Sequence, residues 1–119
     1  MKKTLVETIE ILKKDYSETP VLYKMYETGE LVYIGIGGKS NRKGWERLRE
    51  HYKATMPSSL KWKILKNKWK EGFSFDEAEK YWNTLLWEFE VGDIDYIKNK
   101  EKHLIQTHNP KYNIEFKKK

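Results

Sequence analysis

The apolar positions of this chain change period several times, and each change marks an element. Leu5, Ile9, Leu12 and Tyr16 recur at helical spacing, which predicts an amphipathic helix over 4–16, with Pro20 closing the connection after it. From Val21 the period falls to two. Val21, Tyr23 and Met25 alternate with Leu22, Lys24 and Tyr26, and Leu31, Tyr33 and Gly35 alternate with Val32 and Ile34, so two strands meet in a hairpin at Thr28-Gly29. A two-residue loop there pairs Lys24 with Tyr33 and puts the two tyrosines on opposite faces. A three-residue loop, Glu27-Thr28-Gly29 with Gly29 left-handed in a bulge, sets Tyr23 directly opposite Tyr33, their Cβ atoms about 5 Å apart. Glycine at the third loop position favours this second register.

Residues 36–44 read as a loop. A helix follows from about Trp45 to Tyr52, with Trp45, Leu48 and Tyr52 inward and Arg47 and His51 sharing the neighbouring side at i and i+4. Another starts near Ser58-Ser59, carries Trp62, Leu65 and Trp69 on one side and Lys63, Lys66 and Lys70 in a separate row, and stops at Gly72. Ser74-Phe-Asp-Glu77 fits a capping box and opens a short helix to about Asn83. Leu85, Trp87, Phe89 and Val91 then alternate as a third strand, with Glu88 and Glu90 on its other face. Gly92-Asp93 caps the last long helix, whose inward stripe runs Ile94, Ile97, Glu101, Leu104, Ile105, His108. A glutamate flanked by aliphatic residues one turn away on each side points toward the core or the floor of a cleft. Burying it ionised is costly unless a cation meets it. Asn109-Pro110 stops this helix, and 111–116 read as a short final strand.

These elements predict an α/β (α+β) domain: a small three- to four-stranded antiparallel or mixed sheet flanked by helices. The 119 residues, with five Trp, eight Tyr and four Phe, suffice for one core, so we expect a single domain over 1–119, its amino-terminal helix 4–16 packed on the rest. There is no cysteine, which excludes thiolate zinc sites and a thiol nucleophile and favours an intracellular setting, cytoplasm or nucleoid. No stretch approaches the ~20 apolar residues that span a bilayer. The net charge is +6, unevenly spread: Lys39 to Lys70 holds 11 Lys/Arg against Glu46 and Glu50, while Glu71 to Asp95 holds eight acidic residues against Lys80. Gathered on one surface, the basic segment would suit a phosphate backbone; as solvated helix faces it would mean little.

Gly38-Lys39-Ser40 fails as a phosphate loop because Tyr33 stands where the first glycine is required. The histidines form no H-E-x-x-H, and no G-x-S-x-G elbow exists. What remains is Tyr23 and Tyr33 on the hairpin, Arg47 and His51 on the next helix, and Glu101 on the last. Val21-Leu-Tyr23, Tyr33-Ile-Gly35, Arg47-x-x-x-His51, Glu101-x-x-Leu-Ile105 and Tyr112-Asn113 stand in an order and spacing that resemble the signature of the GIY-YIG nuclease domain, a family of repair and homing endonucleases. The resemblance covers Val21 to Asn113. Val21 departs from the glycine of the family name, and Ile36 stands where some members carry a lysine, the nearest here being Lys39.

The resemblance implies a metal-dependent endonuclease acting on nucleic acid, DNA before RNA. Glu101 would bind one Mg²⁺ or Mn²⁺. Tyr23 would act as or position the general base, Arg47 would contact the scissile phosphate, and Tyr33 and His51 would complete the site. A free tyrosine titrates near about 10, so Tyr23 needs a cation or water network to accept a proton at neutral pH. Gly35 and Asn113 are expected to support the site, and Lys39, Arg42, Lys43, Lys63, Lys66 and Lys70 to contact the backbone without reading sequence. A protein partner or self-association would supply specificity. Other readings stay open: a binding module of the same fold without catalysis, with Glu101 a structural partner of Arg47, or a protein-interaction domain using exposed aromatics.

Overall fold

The computed structural model of the chain describes residues 2–38, 43–54 and 59–113. A short strand β1 (Lys3–Thr4) runs directly into helix α1 (Leu5–Asp15). The join is set by Thr4, whose side chain accepts from the Glu7 backbone N–H while Glu7 returns a carboxylate to the Thr4 N–H, satisfying two donors at the helix start. The hairpin β2 (Val21–Glu27) and β3 (Glu30–Gly37) follows, then α2 (Gly44–Lys53), α3 (Leu60–Lys70), α4 (Phe75–Thr84), β4 (Leu86–Val91) and α5 (Ile94–His108). Ser59, Ser74 and Asp93 each cap the helix after them through their side chains. Asn109, left-handed at φ 47°, ends α5.

The four strands form one sheet in the order β1-β4-β2-β3, all neighbours antiparallel. Its two faces are covered differently. Val21, Tyr23, Met25, Val32 and Trp87 face a core filled by α1 to α4, while Leu22, Ile34 and Ile36 pack against Ile97 and Ile105 of α5. The free edge of β3 is met by the chain end. Tyr112 donates its N–H to the Val32 carbonyl, and Asn113 takes the place of a strand partner, accepting from Ile34 N–H (2.9 Å) and donating to Ile34 C=O (2.7 Å). The final strand expected over 111–116 does not form at Lys111–Asn113, where the chain turns, and the remainder of that stretch lies outside the described residues.

The hairpin corrects the predicted register. The loop has two residues, Glu27 pairing with Glu30 around Thr28 (φ 47°) and Gly29 (φ 83°), both in the left-handed region as a primed turn requires. Alone, such a loop would have separated Tyr23 and Tyr33. A bulge restores them to one side: pairing steps from Tyr26–Leu31 to Met25–Tyr33, leaving Val32 as the extra residue, so Val32 and Tyr33 both turn toward the α1–α4 core. Tyr23 therefore sits opposite Gly35, not Tyr33, and the two tyrosines are diagonal neighbours.

Three other expectations change. The strand β1, too short to show a period, pairs with β4 and was not foreseen. On α2, Tyr52 turns outward at 37% exposed while His51 takes the inward place beside Leu48. On α5, His108 is exposed instead of completing the buried stripe.

Thr28 is a β-branched residue held at positive φ, its hydroxyl donating to its neighbour Glu27's carbonyl. Thr28→Asn, which creates the preferred Asn-Gly turn, is expected to stabilise the protein by about 1 kcal/mol, seen as a higher urea midpoint at unchanged slope.

Candidate active site

The site is built around one ring. Tyr23, fully buried on β2, lies across its pairing partner Gly35 on β3: a Cβ added at position 35 would come within 2.6 Å of the ring's Cε1, Cζ and Oη. Only glycine leaves room for this crossing, so Gly35 is a steric requirement and its backbone freedom is secondary. The hydroxyl is thereby carried toward the free edge of the sheet. There its oxygen meets Nε2 of His51 at 2.9 Å.

A second pair of glycines brings α2 to this edge. A Cβ on Gly37 would collide with the Gly44 carbonyl and crowd the Cβ of Arg47 at 3.0 Å, and one on Gly44 would strike the Thr19 carbonyl at 2.7 Å. The first turn of α2 therefore packs directly on the end of β3, which puts Arg47 and, one turn later, His51 beside Tyr23. Tyr33 closes one side, its ring 6.3 Å from that of Tyr23 and 5.5 Å from the imidazole, centre to centre. Trp87 on β4 forms the floor, 6.0 Å from Tyr23 and 6.1 Å from His51.

Electrostatics set the protonation states. Burial, the largest influence, pushes the Tyr23 phenol well above its ordinary value; the neighbouring Tyr33 and the charge of Glu101 push the same way, while Arg47 opposes them through its charge and a hydrogen bond to the phenol. Burial, aided by the Arg47 guanidinium, brings His51 down to about 3. At neutral pH the pair is therefore a protonated phenol facing a neutral imidazole. Arg47 lowers the Tyr23 value, as a neighbouring cation should, but desolvation outweighs it.

Glu101 is half-buried on α5, one turn from Ile97 (0% exposed) and one from Ile105 (1%). Its helix covers the opposite sheet face, yet its charge reaches the Tyr23 phenol. Arg47 also forms an ion pair with Glu50, Nη1 to Oε1 at 2.9 Å, a partner the sequence reading missed. Among the described residues no group of three or more His, Cys, Asp or Glu is placed to hold a metal. The Glu101 carboxylate and the Tyr23 phenol are both oxygen donors, the kind that suits a hard cation that keeps most of its waters.

The outer candidates divide. Lys43 caps α2 and pairs with Glu18 at 3.1 Å. Lys63, Lys66 and Lys70 are exposed on α3, and Lys39 and Arg42 lie outside the described residues. Asn113 reaches the site only through the Ile34 backbone.

No protein-family model and no curated protein matches this sequence. Solved structures do match. The GIY-YIG N-terminal endonuclease domain of UvrC from Thermotoga maritima, bound to magnesium as its catalytic divalent cation, aligns with 91% of this chain and 98% of its own at 22% identity and a TM-score of 0.54. The chain has the GIY-YIG fold. Two point mutants of that domain, one with a tyrosine replaced by phenylalanine and one with an asparagine replaced by alanine, match equally well, each at 22% identity, 91% and 97% coverage and a TM-score of 0.54, and both carry the divalent cation. At this identity the likeness is one of fold. Within the GIY-YIG fold, the elements that carry Tyr23, Tyr33, Arg47, His51 and Glu101 are those described above, and among the described residues no helix is long and apolar enough to cross a membrane.

The His51 value has a measurable consequence. A histidine whose folded value lies below its unfolded one, near about 6.5, contributes stability that is complete above that pH and lost as pH falls through the window down to about 3. The His51 ring resonances are expected not to titrate between pH 8 and 5 in the folded protein, and His51→Gln to flatten the loss of stability below pH 6. Ordinary titration of His51 near neutrality would contradict the buried, neutral assignment.

Proposed function

We propose that this protein is a metal-dependent endonuclease that hydrolyses phosphodiester bonds in nucleic acid, DNA in preference to RNA, within the cytoplasm or nucleoid. One observation carries the reading: a single buried phenol, Tyr23, is bonded to the His51 imidazole and acted on by both Arg47 and Glu101. A structural tyrosine in a core does not need a neutral base and a guanidinium at its hydroxyl with a carboxylate's charge acting on it as well. The likeness in fold to an endonuclease domain with a catalytic cation supports the same reading.

In this account Glu101 would hold one Mg²⁺ or Mn²⁺, which would supply charge neutralisation at the phosphoryl oxygens and stabilisation of the leaving oxygen. Arg47 contacts the scissile phosphate, and Tyr33 fixes the Tyr23 and His51 rings from the side. Tyr23 holds its proton in the resting state, so it accepts one from the attacking water only as its own passes to His51. The neutral imidazole, with Nε2 unprotonated, is the acceptor at 2.9 Å. Its depressed value makes His51 a weak base until substrate enters; the phosphate's negative charge then favours the imidazolium. Lys39, Arg42, Lys43, Lys63, Lys66 and Lys70 bind backbone phosphates, and a partner protein or self-association sets the choice of target.

Purified protein is expected to nick supercoiled plasmid with Mg²⁺ or Mn²⁺ and to stop when EDTA is added. Glu101→Gln should cut at least about a hundredfold more slowly while binding duplex as before. Equal inertness of wild type and variant under every cation would leave a binding module with this fold.

A further inference from the structure

The solvent side of α3 carries two kinds of residue in adjoining rows. Trp62, Lys66 and Trp69 follow one another at i, i+4 and i+7, and Lys63 and Lys70 stand next to them, all three lysines exposed. The tryptophans are partly buried against the core but continue outward as a ring ladder: Trp62 meets Trp69 edge-on at 5.5 Å, and Trp69 stacks on Phe75, the first residue of α4, at 5.8 Å and 19°. Phe75 is 56% exposed, more than any other large hydrophobic residue described. One face of its ring is taken by Trp69.

The charge around this ladder is positive because the nearby carboxylates are already engaged. Glu71 pairs with Lys68, Glu79 with Lys61, and Glu77 folds back onto the Ser74 N–H as part of the helix cap. Asp76 is the exposed acid that remains beside Phe75. Against it stand Lys63, Lys66 and Lys70, for which no carboxylate partner is found among the described residues. Stacked rings ending in an exposed face, beside a row of lysines, match the chemistry of unpaired nucleotides, which offer both a base to stack and a phosphate to neutralise. A duplex hides its base faces, and a run of acidic side chains alone has no ring to stack on Phe75.

We propose that the α3–α4 corner, Trp62, Trp69 and Phe75 with Lys63, Lys66 and Lys70, is a binding surface for single-stranded nucleic acid, one base stacking on the open face of Phe75. This deepens the nuclease reading and rests on it for its setting, since it makes a substrate with an unpaired stretch the preferred one. Duplex binding would use the lysines alone.

The test is equilibrium binding in EDTA, with cleavage off, of a labelled oligothymidine of about a dozen nucleotides and of a duplex of the same length. Wild type is expected to bind the single strand at least about tenfold more tightly, with quenching of tryptophan fluorescence. Phe75→Ala, an exposed change, should lose about tenfold for the single strand and nothing for the duplex, while Lys66→Gln should weaken both and reduce the salt dependence. Equal affinity of wild type for both strands, an unaltered single-strand affinity in Phe75→Ala, or equally tight binding of polyglutamate would each overturn the proposal. Plasmid nicking is scored separately. A protein that never nicks but keeps the Phe75-dependent preference retains this surface and loses the nuclease reading, and the reverse result does the opposite.

Discussion

The ring of Tyr23 can lie across β3 only because position 35 has no side chain, and the rest of the site follows from that crossing. With any larger residue the ring would have to swing back over β2, and its hydroxyl would leave both His51 and the edge where α5 arrives. The hairpin turn, the bulge at Val32 and the Asn113 clasp on Ile34 all act on the same strand. They determine where Gly35 lies and therefore where the phenol ends. Gly37 and Gly44 do for α2 what Gly35 does for the ring, removing the bulk that would hold Arg47 and His51 at a distance.

That geometry places opposing electrostatic demands on one small volume. Desolvation favours neutral forms and prevails for both Tyr23 and His51, while Arg47 and Glu101 lie closer to solvent. The proposed function divides the site into a dry proton pair, Tyr23 and His51, and a more exposed pair, Arg47 and Glu101, to which it gives the phosphate and the cation. The ion pair of Arg47 with Glu50 belongs to the second half. At 44% and 37% exposure it is a weak tie that a phosphate can displace.

Much of this was legible in the residues, and the failures have local reasons. The helix starts were readable because Ser59, Ser74 and Asp93 are side-chain caps, and Glu101 was conspicuous as an acid set between aliphatic neighbours. Tyr23 and Tyr33 were assigned to one face correctly but through the wrong register. The two-residue turn and the bulge at Val32 cancel, and a run of strand-forming residues from Leu31 to Ile34 gives no sign of where an extra one is accommodated. On α2 the apolar pattern pointed Tyr52 inward; the buried place went to His51 because Tyr23, distant in sequence, supplies its hydrogen bond. β1 is two residues long and shows no period. The pairing of Lys43 with Glu18 and the protonation states at the site depend on packing between distant segments, which no local pattern records.

The central claim is that Glu101 and Tyr23 open onto one cavity able to take a cation, and the most direct test is paramagnetic broadening of amide resonances by Mn²⁺. The account predicts that the loss of signal centres on Glu101 and extends across the sheet edge to Gly35, Tyr23 and Tyr33, and that Glu101→Gln removes it. Broadening confined to the acidic residues near Glu88, Glu90 and Asp93, with Gly35 and Tyr23 left sharp, would contradict it.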